Sequence, residues 1–110
     1  MKTALLTAIG LENLKFEEQP VPEPGPGEVL VELQAAALNP RDLQIMTGQF
    51  TADLPLPMVP LSDGAGRIAA CGAGVSGFSE GDLVTPLFFP DWVDGEATGG
   101  QRSRSLGLEL

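Results

Sequence analysis

Hydrophobic and polar residues alternate most clearly between residues 28 and 38, where Val29, Val31 and Leu33 share one face of an extended chain. Such alternation predicts a β-strand with one buried face. Shorter apolar runs, separated by glycine and proline, predict further strands at residues 2–8, 14–18, 63–71 and 82–87. Several short strands of this kind are typical of a mainly β fold, either a small barrel or a sandwich.

One short helix is predicted directly after the longest strand. Asn39 is a favourable N-cap residue, and Pro40 suits the first helical position because the N–H it lacks would be unpaired there. Apolar side chains between Leu43 and Met46 then fill about two turns. Gly48 follows where a helix commonly ends, so the helix is expected to begin after Asn39 and to stop before Gly48.

Composition limits the functions that this chain can have. Its 110 residues allow one domain at most, and 43% of them are hydrophobic, which argues against a wholly disordered chain. Fifteen acidic residues against six basic ones give a net charge of −9, and a field of that sign repels nucleic acid and anionic membranes. One cysteine favours a reducing compartment, and no stretch has the pattern of a signal peptide or a bilayer span. A cytoplasmic protein is therefore predicted.

Residues 72–77 match the G-x-G-x-x-G pattern of dinucleotide-binding sites, but their surroundings do not fit that function. Such a site needs a helix that begins within the motif, so that its N-terminus faces the pyrophosphate. Here Gly81 follows within a few residues, and a crossover helix cannot be sustained over so short a stretch. We therefore interpret residues 72–77 as a turn between two strands.

Glycines recur at fixed spacing from Gly64 to Gly81, and Asp82 and Val84 follow. Together with the upstream residues 38–42, Leu-Asn-Pro-Arg-Asp, this pattern resembles the catalytic-domain signature of the medium-chain dehydrogenase/reductases. The resemblance covers residues 1–89 and implies a GroES-like, partly open β-barrel with one short helix, incomplete without the C-terminal part of the family fold. Residues 90–110 are then expected to form a polar, glycine-rich and poorly ordered continuation, and the family's Rossmann domain is expected to be absent.

The zinc ligands of this family have no equivalent in the chain. Zinc-dependent members carry a cysteine near the helix start and a histidine just before the first glycine, where this chain has Asn39 and Ser62. An amide and a hydroxyl cannot replace a thiolate and an imidazole at a tetrahedral zinc. The family's structural zinc needs four cysteines, whereas Cys71 is the single cysteine here and is expected to be a small core residue in mid-strand. The resemblance therefore implies the zinc-free branch, with no metal bound.

The resemblance also implies a role for Asn39, at the place where nicotinamide and substrate meet. There its amide would donate a hydrogen bond and act in catalysis; the alternative is that Asn39 serves only as the helix N-cap. The other candidates for contact with the cofactor are Arg41, Asp42 and Thr85. For Arg41 the alternative is a solvated surface charge, and for Asp42 it is a purely architectural role at the first helical turn.

Four residues are candidates for the wall of a substrate pocket: Ser62, Asp63, Phe89 and Trp92. The first two occupy the former metal-ligand region. The two aromatic residues belong to a cluster that either lines the substrate cleft or covers the open end of the barrel.

The sequence as a whole predicts an N-terminal catalytic-domain fragment of a zinc-independent NAD(P)H-dependent oxidoreductase. Its reaction would be hydride transfer to a quinone, an enone or a carbonyl, or alcohol oxidation in reverse. The resemblance admits either NADPH or NADH and favours NADPH, which zinc-free relatives commonly use. Without a Rossmann domain the chain is expected to bind no cofactor tightly and to be inactive alone, so its status as an enzyme is left open.

A second hypothesis is a non-enzymatic GroES-like assembly or binding module, for which a chain of this size is suitable. The incomplete barrel would leave strand edges unpaired, and unpaired edges favour association, including homo-oligomer formation. In the first hypothesis the partner is a small-molecule substrate, and in neither is it a nucleic acid or a membrane.

Overall fold

Strands predominate in the computed structural model of the protein, which describes residues 1–102 and 104–108. The strands are β1 (Lys2–Leu6), β2 (Leu14–Glu18), β3 (Val29–Ala35), β4 (Ala65–Cys71) and β5 (Leu83–Val84). The helix α1 spans Pro40–Met46, and single turns of 3-10 helix lie at Leu11–Asn13 and Gly100–Arg102. The prediction of a mainly β fold with one short helix is confirmed. No helix in the described ranges is both long and apolar enough to cross a membrane.

β1 and β2 form an antiparallel sheet of two strands, in which Leu6 pairs with Leu14 at the turn end. Leu6 is fully buried and shares a hydrophobic core with Ile45, Met46 and Met58. Its backbone also exchanges two hydrogen bonds with that of Met58, at 2.8 and 3.0 Å. Helix α1 therefore packs against β1 through this core. This first unit consists of residues 1–19, 37–63 and the described residues from 87 onward.

A second sheet has the antiparallel order β3-β4-β5 and lies in a second unit, made of residues 20–36 and 64–86. Two register shifts interrupt the pairing of β3 with β4. Gly66 of β4 approaches β3 so closely that a Cβ at this position would lie 2.1 Å from the carbonyl oxygen of Glu32. In the described part of the chain both sheets are open, and neither closes into a barrel.

Strand β2 has the predicted bounds, and the other four observed strands are shorter than the predicted ones. The first ends at Leu6 because the next residue, Thr7, directs both its N–H and its hydroxyl to the carbonyl oxygen of Asn13. The last is limited to Leu83–Val84, since Pro86 lacks the N–H that a longer ladder needs. Cys71 also differs from expectation: it ends β4 and is half-buried, so it is not a core residue in mid-strand.

The glycine motif at residues 72–77 is a turn, as predicted. The N–H of Gly72 donates to the carbonyl oxygen of Glu28 at 2.8 Å, which continues the pairing of β3 with β4. Gly74 and Gly77 have φ values of +79° and +82°, a region that glycine enters without steric cost. No helix follows before β5 begins, so the motif lacks the helix N-terminus that a pyrophosphate site requires.

Candidate active site

Helix α1 begins in a capping box built by Asn39 and Asp42. Asn39 is the N-cap residue, and its backbone N–H donates to Oδ2 of Asp42 at 2.8 Å. Pro40 occupies the first helical position, as predicted from the sequence. Only 2% of Asp42 is exposed, so its carboxylate is a buried part of the helix start. This geometry supports the architectural alternative for Asp42.

Ser62 connects the helix start to Arg41. Its hydroxyl donates to Oδ1 of Asp42 at 3.2 Å and accepts a hydrogen bond from Nη1 of Arg41. Ser62 is 3% exposed, and the chain reaches it through Leu61, whose φ is +84°. That conformation is unfavourable for a residue with a Cβ and persists only where the surroundings impose it. Ser62 is therefore held in place by strained backbone as well as by hydrogen bonds.

The guanidinium of Arg41 contacts protein groups on several sides. Nη2 donates to the hydroxyl of Ser105 at 2.8 Å, and Nη1 donates to the carbonyl oxygen of Leu106 at 3.2 Å. The Cζ atom lies 5.3 Å from the ring centroid of Phe50 and 4.8 Å from that of Phe88. Burial lowers the pKa of Arg41, and the nearby negative charge of Asp42 acts in the opposite direction. Arg41 is thus part of the packed structure.

The side chain of Asn39 faces an exposed carboxylate. Its Nδ2 donates to Oδ2 of Asp63 at 2.6 Å, a short, charge-assisted hydrogen bond. A side-chain amide nitrogen carries two hydrogens, and this bond uses one of them. Among the described residues, Nδ2 of Asn39 donates to no second acceptor, so Asn39 combines its capping position with a donor near the surface.

An apolar pocket of about 470 Å³ is formed by one stretch of chain, and its lining residues are Leu87, Phe88, Phe89, Trp92 and Val93. The rings of Phe88 and Phe89 meet edge to face, with centroids 4.6 Å apart. The indole of Trp92 lies 6.3 Å from Phe89 and donates its N–H to the carbonyl oxygen of Gly95. None of the five lining residues is charged, and the pocket is a depression open to solvent, because Leu87, Phe88, Trp92 and Val93 are themselves exposed.

The predicted site residues fall into three groups. Hydrogen bonds join one group into a continuous set, whose members are Asn39, Arg41, Asp42, Ser62 and Asp63. Phe89 and Trp92 share the apolar pocket. Thr85 belongs to the second unit, where its hydroxyl donates to the carbonyl oxygen of Gly64 at 2.9 Å.

Sequence reasoning missed the partners of Arg41: Phe50, Phe88, Ser105 and Leu106. Phe88 could have been identified as a packing residue, since it belongs to the one aromatic cluster of the sequence. The others are isolated residues in loops, and their positions follow no periodic pattern that could have identified them.

The donor groups at this site do not fit a zinc ion. Where zinc-dependent members have a cysteine and a histidine, this chain has the amide of Asn39 and the hydroxyl of Ser62. The hydroxyl of Ser62 is already bonded to Arg41 and to Asp42. Zinc in proteins prefers thiolate, imidazole and carboxylate ligands. Over residues 1–102 and 104–108, no group of three or more His, Cys, Asp or Glu side chains is placed to hold a metal ion.

The fold is that of a domain known from dehydrogenases. The family model described as the alcohol dehydrogenase GroES-like domain matches residues 25–105. The chain therefore belongs to the alcohol dehydrogenase GroES-like domain family. This result confirms the resemblance to the medium-chain dehydrogenase/reductases, and two open sheets with one helix match a partial domain of this type.

Several relatives of the chain are named as dehydrogenases or oxidoreductases. It is 48% identical over 99 residues to a zinc-type alcohol dehydrogenase-like protein of Schizosaccharomyces pombe, covering 89% of this chain and 29% of that protein. A chloroplastic quinone-oxidoreductase of Triphysaria versicolor is 36% identical over 99 residues, covering 88% and 30%. A solved NAD-dependent alcohol dehydrogenase has 46% identity and a TM-score of 0.72, covering 78% and 25%. The chain thus spans about 30% of the length of the curated relatives it matches.

Proposed function

We propose that this chain is the catalytic-domain part of a zinc-independent NAD(P)H-dependent oxidoreductase. Its substrate would be an uncharged quinone, enone or carbonyl, or an alcohol in the reverse direction. The observation that carries the proposal is the bonding of Asn39 and Ser62, because neither side chain is chemically suited to hold zinc. The alcohol dehydrogenase and quinone-oxidoreductase relatives support the reaction class.

The catalytic residue in this proposal is Asn39. In this family a nicotinamide cofactor supplies the hydride. Addition of a hydride to an electrophilic carbon would move the C=O electron pair onto the oxygen, where negative charge would develop until water supplied a proton. The N–H of Asn39 that is not bonded to Asp63 would donate to this oxygen, and Asp63 fixes the orientation of the amide.

The apolar pocket would receive the substrate. Its lining, which includes Phe89 and Trp92, offers a flat hydrophobic surface and no counter-charge, and the net charge of −9 disfavours anions further. An uncharged ring is therefore the preferred occupant. Binding of the cofactor phosphates is proposed to depend on polypeptide outside residues 1–110, since the G-x-G-x-x-G turn at residues 72–77 leads into no helix.

The test is a titration of residues 1–110 with benzyl alcohol, followed by the fluorescence of Trp92, the single tryptophan of the sequence. We expect a saturable change, the same within about twofold with ZnCl2 or EDTA present, and binding of benzoate that is at least about tenfold weaker. Phe89→Ala should weaken benzyl alcohol binding about tenfold, which corresponds to about 1.4 kcal/mol. The matched control is Phe78→Ala, which truncates an exposed phenylalanine of the second unit.

Three results would contradict the proposal. Equal binding of benzoate, or no saturable binding at all, would exclude a pocket for uncharged rings and favour the non-enzymatic module. Zinc retained at one equivalent by the wild type and lost in Asn39→Ala would exclude zinc independence. In the same series, NADPH and NADH are expected to give no saturable signal with this chain alone.

A further inference from the structure

Arg41 joins stretches of chain that lie far apart in the sequence. One guanidinium bonds to Ser62, 21 positions away, and to Ser105 and Leu106, 64 and 65 positions away. The planar fork of an arginine can hold several acceptors at fixed angles, which an ammonium on a flexible stem cannot do. Arg41 therefore fixes the distance between helix α1 and the segment that carries Ser105 and Leu106.

Phe88, a wall residue of the apolar pocket, is held by Arg41 in two ways. Its ring lies 4.8 Å from Cζ of Arg41, within the range of cation–π attraction. Its carbonyl oxygen accepts the backbone N–H of Leu106 at 3.0 Å, and the carbonyl oxygen of Leu106 accepts from Arg41 at 3.2 Å. Both the ring and the backbone of Phe88 therefore depend on the same guanidinium.

The same side chain also reaches the start of the helix. Arg41 donates to Ser62, Ser62 donates to Asp42, and Asp42 accepts from the backbone N–H of Asn39. Ser62, Asp42 and Ser105 are buried, with exposed fractions of 3%, 2% and 8%. A path of direct contacts thus runs within the first unit from the pocket wall to the residue proposed as the hydrogen-bond donor.

We propose that Arg41 is a positioning residue that fixes the Phe88 wall of the apolar pocket to helix α1 and thereby determines how tightly the pocket binds an uncharged ring. The inference rests on the proposed function insofar as the pocket binds the substrate. It assigns to Arg41 a role different from cofactor contact, since its guanidinium is already bonded to Ser62, Ser105 and Leu106.

The test compares Arg41→Met, which keeps a long side chain but removes the fork, with Arg41→Lys and the wild type. Two signals of Trp92 are measured: its quenching by acrylamide without ligand, and its response to benzyl alcohol. In Arg41→Met we expect quenching to rise at least about twofold and benzyl alcohol binding to weaken at least about tenfold. Both signals of Arg41→Lys should lie between those of Arg41→Met and the wild type, because an ammonium keeps the charge but lacks the two separate nitrogens through which Arg41 bonds Ser62 and Ser105.

The control is Ile45→Val, which loosens the core of the same helix at a residue that is 1% exposed. A merely structural effect would change the Trp92 signals of Ile45→Val and Arg41→Met in proportion to their loss of stability. We expect the control to keep both signals within about twofold of the wild type at equal fractions folded. If Arg41→Met does not fold, Arg41→Lys decides in its place.

Acrylamide quenching of Trp92 equal to that of the wild type in folded Arg41→Met and Arg41→Lys would overturn the inference. So would wild-type affinity for benzyl alcohol in those variants. A wild-type chain that binds no benzyl alcohol would contradict the proposed function. The quenching measurement, which needs no ligand, would still show whether Arg41 holds the pocket wall in place. The two proposals can therefore fail separately.

Discussion

The two units of the chain are constrained in different ways. In the second unit the constraint falls on the backbone: a Cβ at Gly66 or Gly72 would lie 2.1 or 1.9 Å from a carbonyl oxygen of another segment. In the first unit the backbone is strained at Leu61 as well, and buried polar side chains, of which Asp42 and Ser62 are the central pair, add a further constraint. The glycine signature that identifies the family thus belongs to the second unit, and most of the side chains proposed for the chemistry belong to the first. Membership of the family and retention of its chemistry are separate questions.

Gly66→Ala is expected to have the largest effect on stability. The added methyl group would overlap the carbonyl oxygen of Glu32, which belongs to the paired strand and cannot turn aside. The free energy of unfolding should fall by about 3 kcal/mol. Urea unfolding followed by far-UV circular dichroism measures the loss.

Gly99→Ala is the matched control, since a Cβ at Gly99 would meet no atom within 4 Å and its φ is not positive. This variant should stay within about 0.5 kcal/mol of the wild type. Equal urea midpoints for Gly66→Ala and Gly99→Ala would mean that β3 and β4 can move apart at no cost in stability. That result would contradict a backbone constraint in the second unit.

Asp42→Ala should have the next largest effect. It removes the acceptor of the Asn39 backbone N–H, which is half-buried, and of the Ser62 hydroxyl, which is buried. We expect a loss of about 2 kcal/mol in the free energy of unfolding. Asp53→Ala, in an exposed loop, is the control with the same change of charge. A loss shared equally by both variants would indicate an effect of net charge rather than of the network.

Local signals explain why much of the fold was predictable. The alternation around Val31 marks β3, and the pair Asn39-Pro40 marks the start of α1, because capping depends on residues adjacent in sequence. The turn at residues 72–77 was also recognised, since the glycine that follows rules out a helix. In each case the physical cause of the structure lies within a few residues of its effect.

The contacts of Arg41 could not be predicted in this way. Its partners Ser62 and Ser105 are single serines at distant positions, and nothing in their neighbours indicates that either is buried. The sequence also left two alternatives for Arg41, a solvated charge or a cofactor contact, whereas the guanidinium packs on two phenylalanine rings. Such a network is created by the tertiary fold, and the composition of each segment does not reveal it.

Asp63→Ala should have the smallest effect on stability, although Asp63 lies beside the same helix start as Asp42. Its bond to Asn39 is exposed, where water replaces a lost partner, so we expect a change of at most about 0.5 kcal/mol in urea unfolding. The side-chain amide resonances of Asn39 in ¹H–¹⁵N spectra should nevertheless shift, because Nδ2 loses a charged acceptor at 2.6 Å. Stability equal to the wild type with a shifted amide would mark Asp63 as a residue that orients Asn39 for a ligand. A loss as large as that of Asp42→Ala would mean that both carboxylates are structural, and the contrast between buried network and exposed donor would no longer hold.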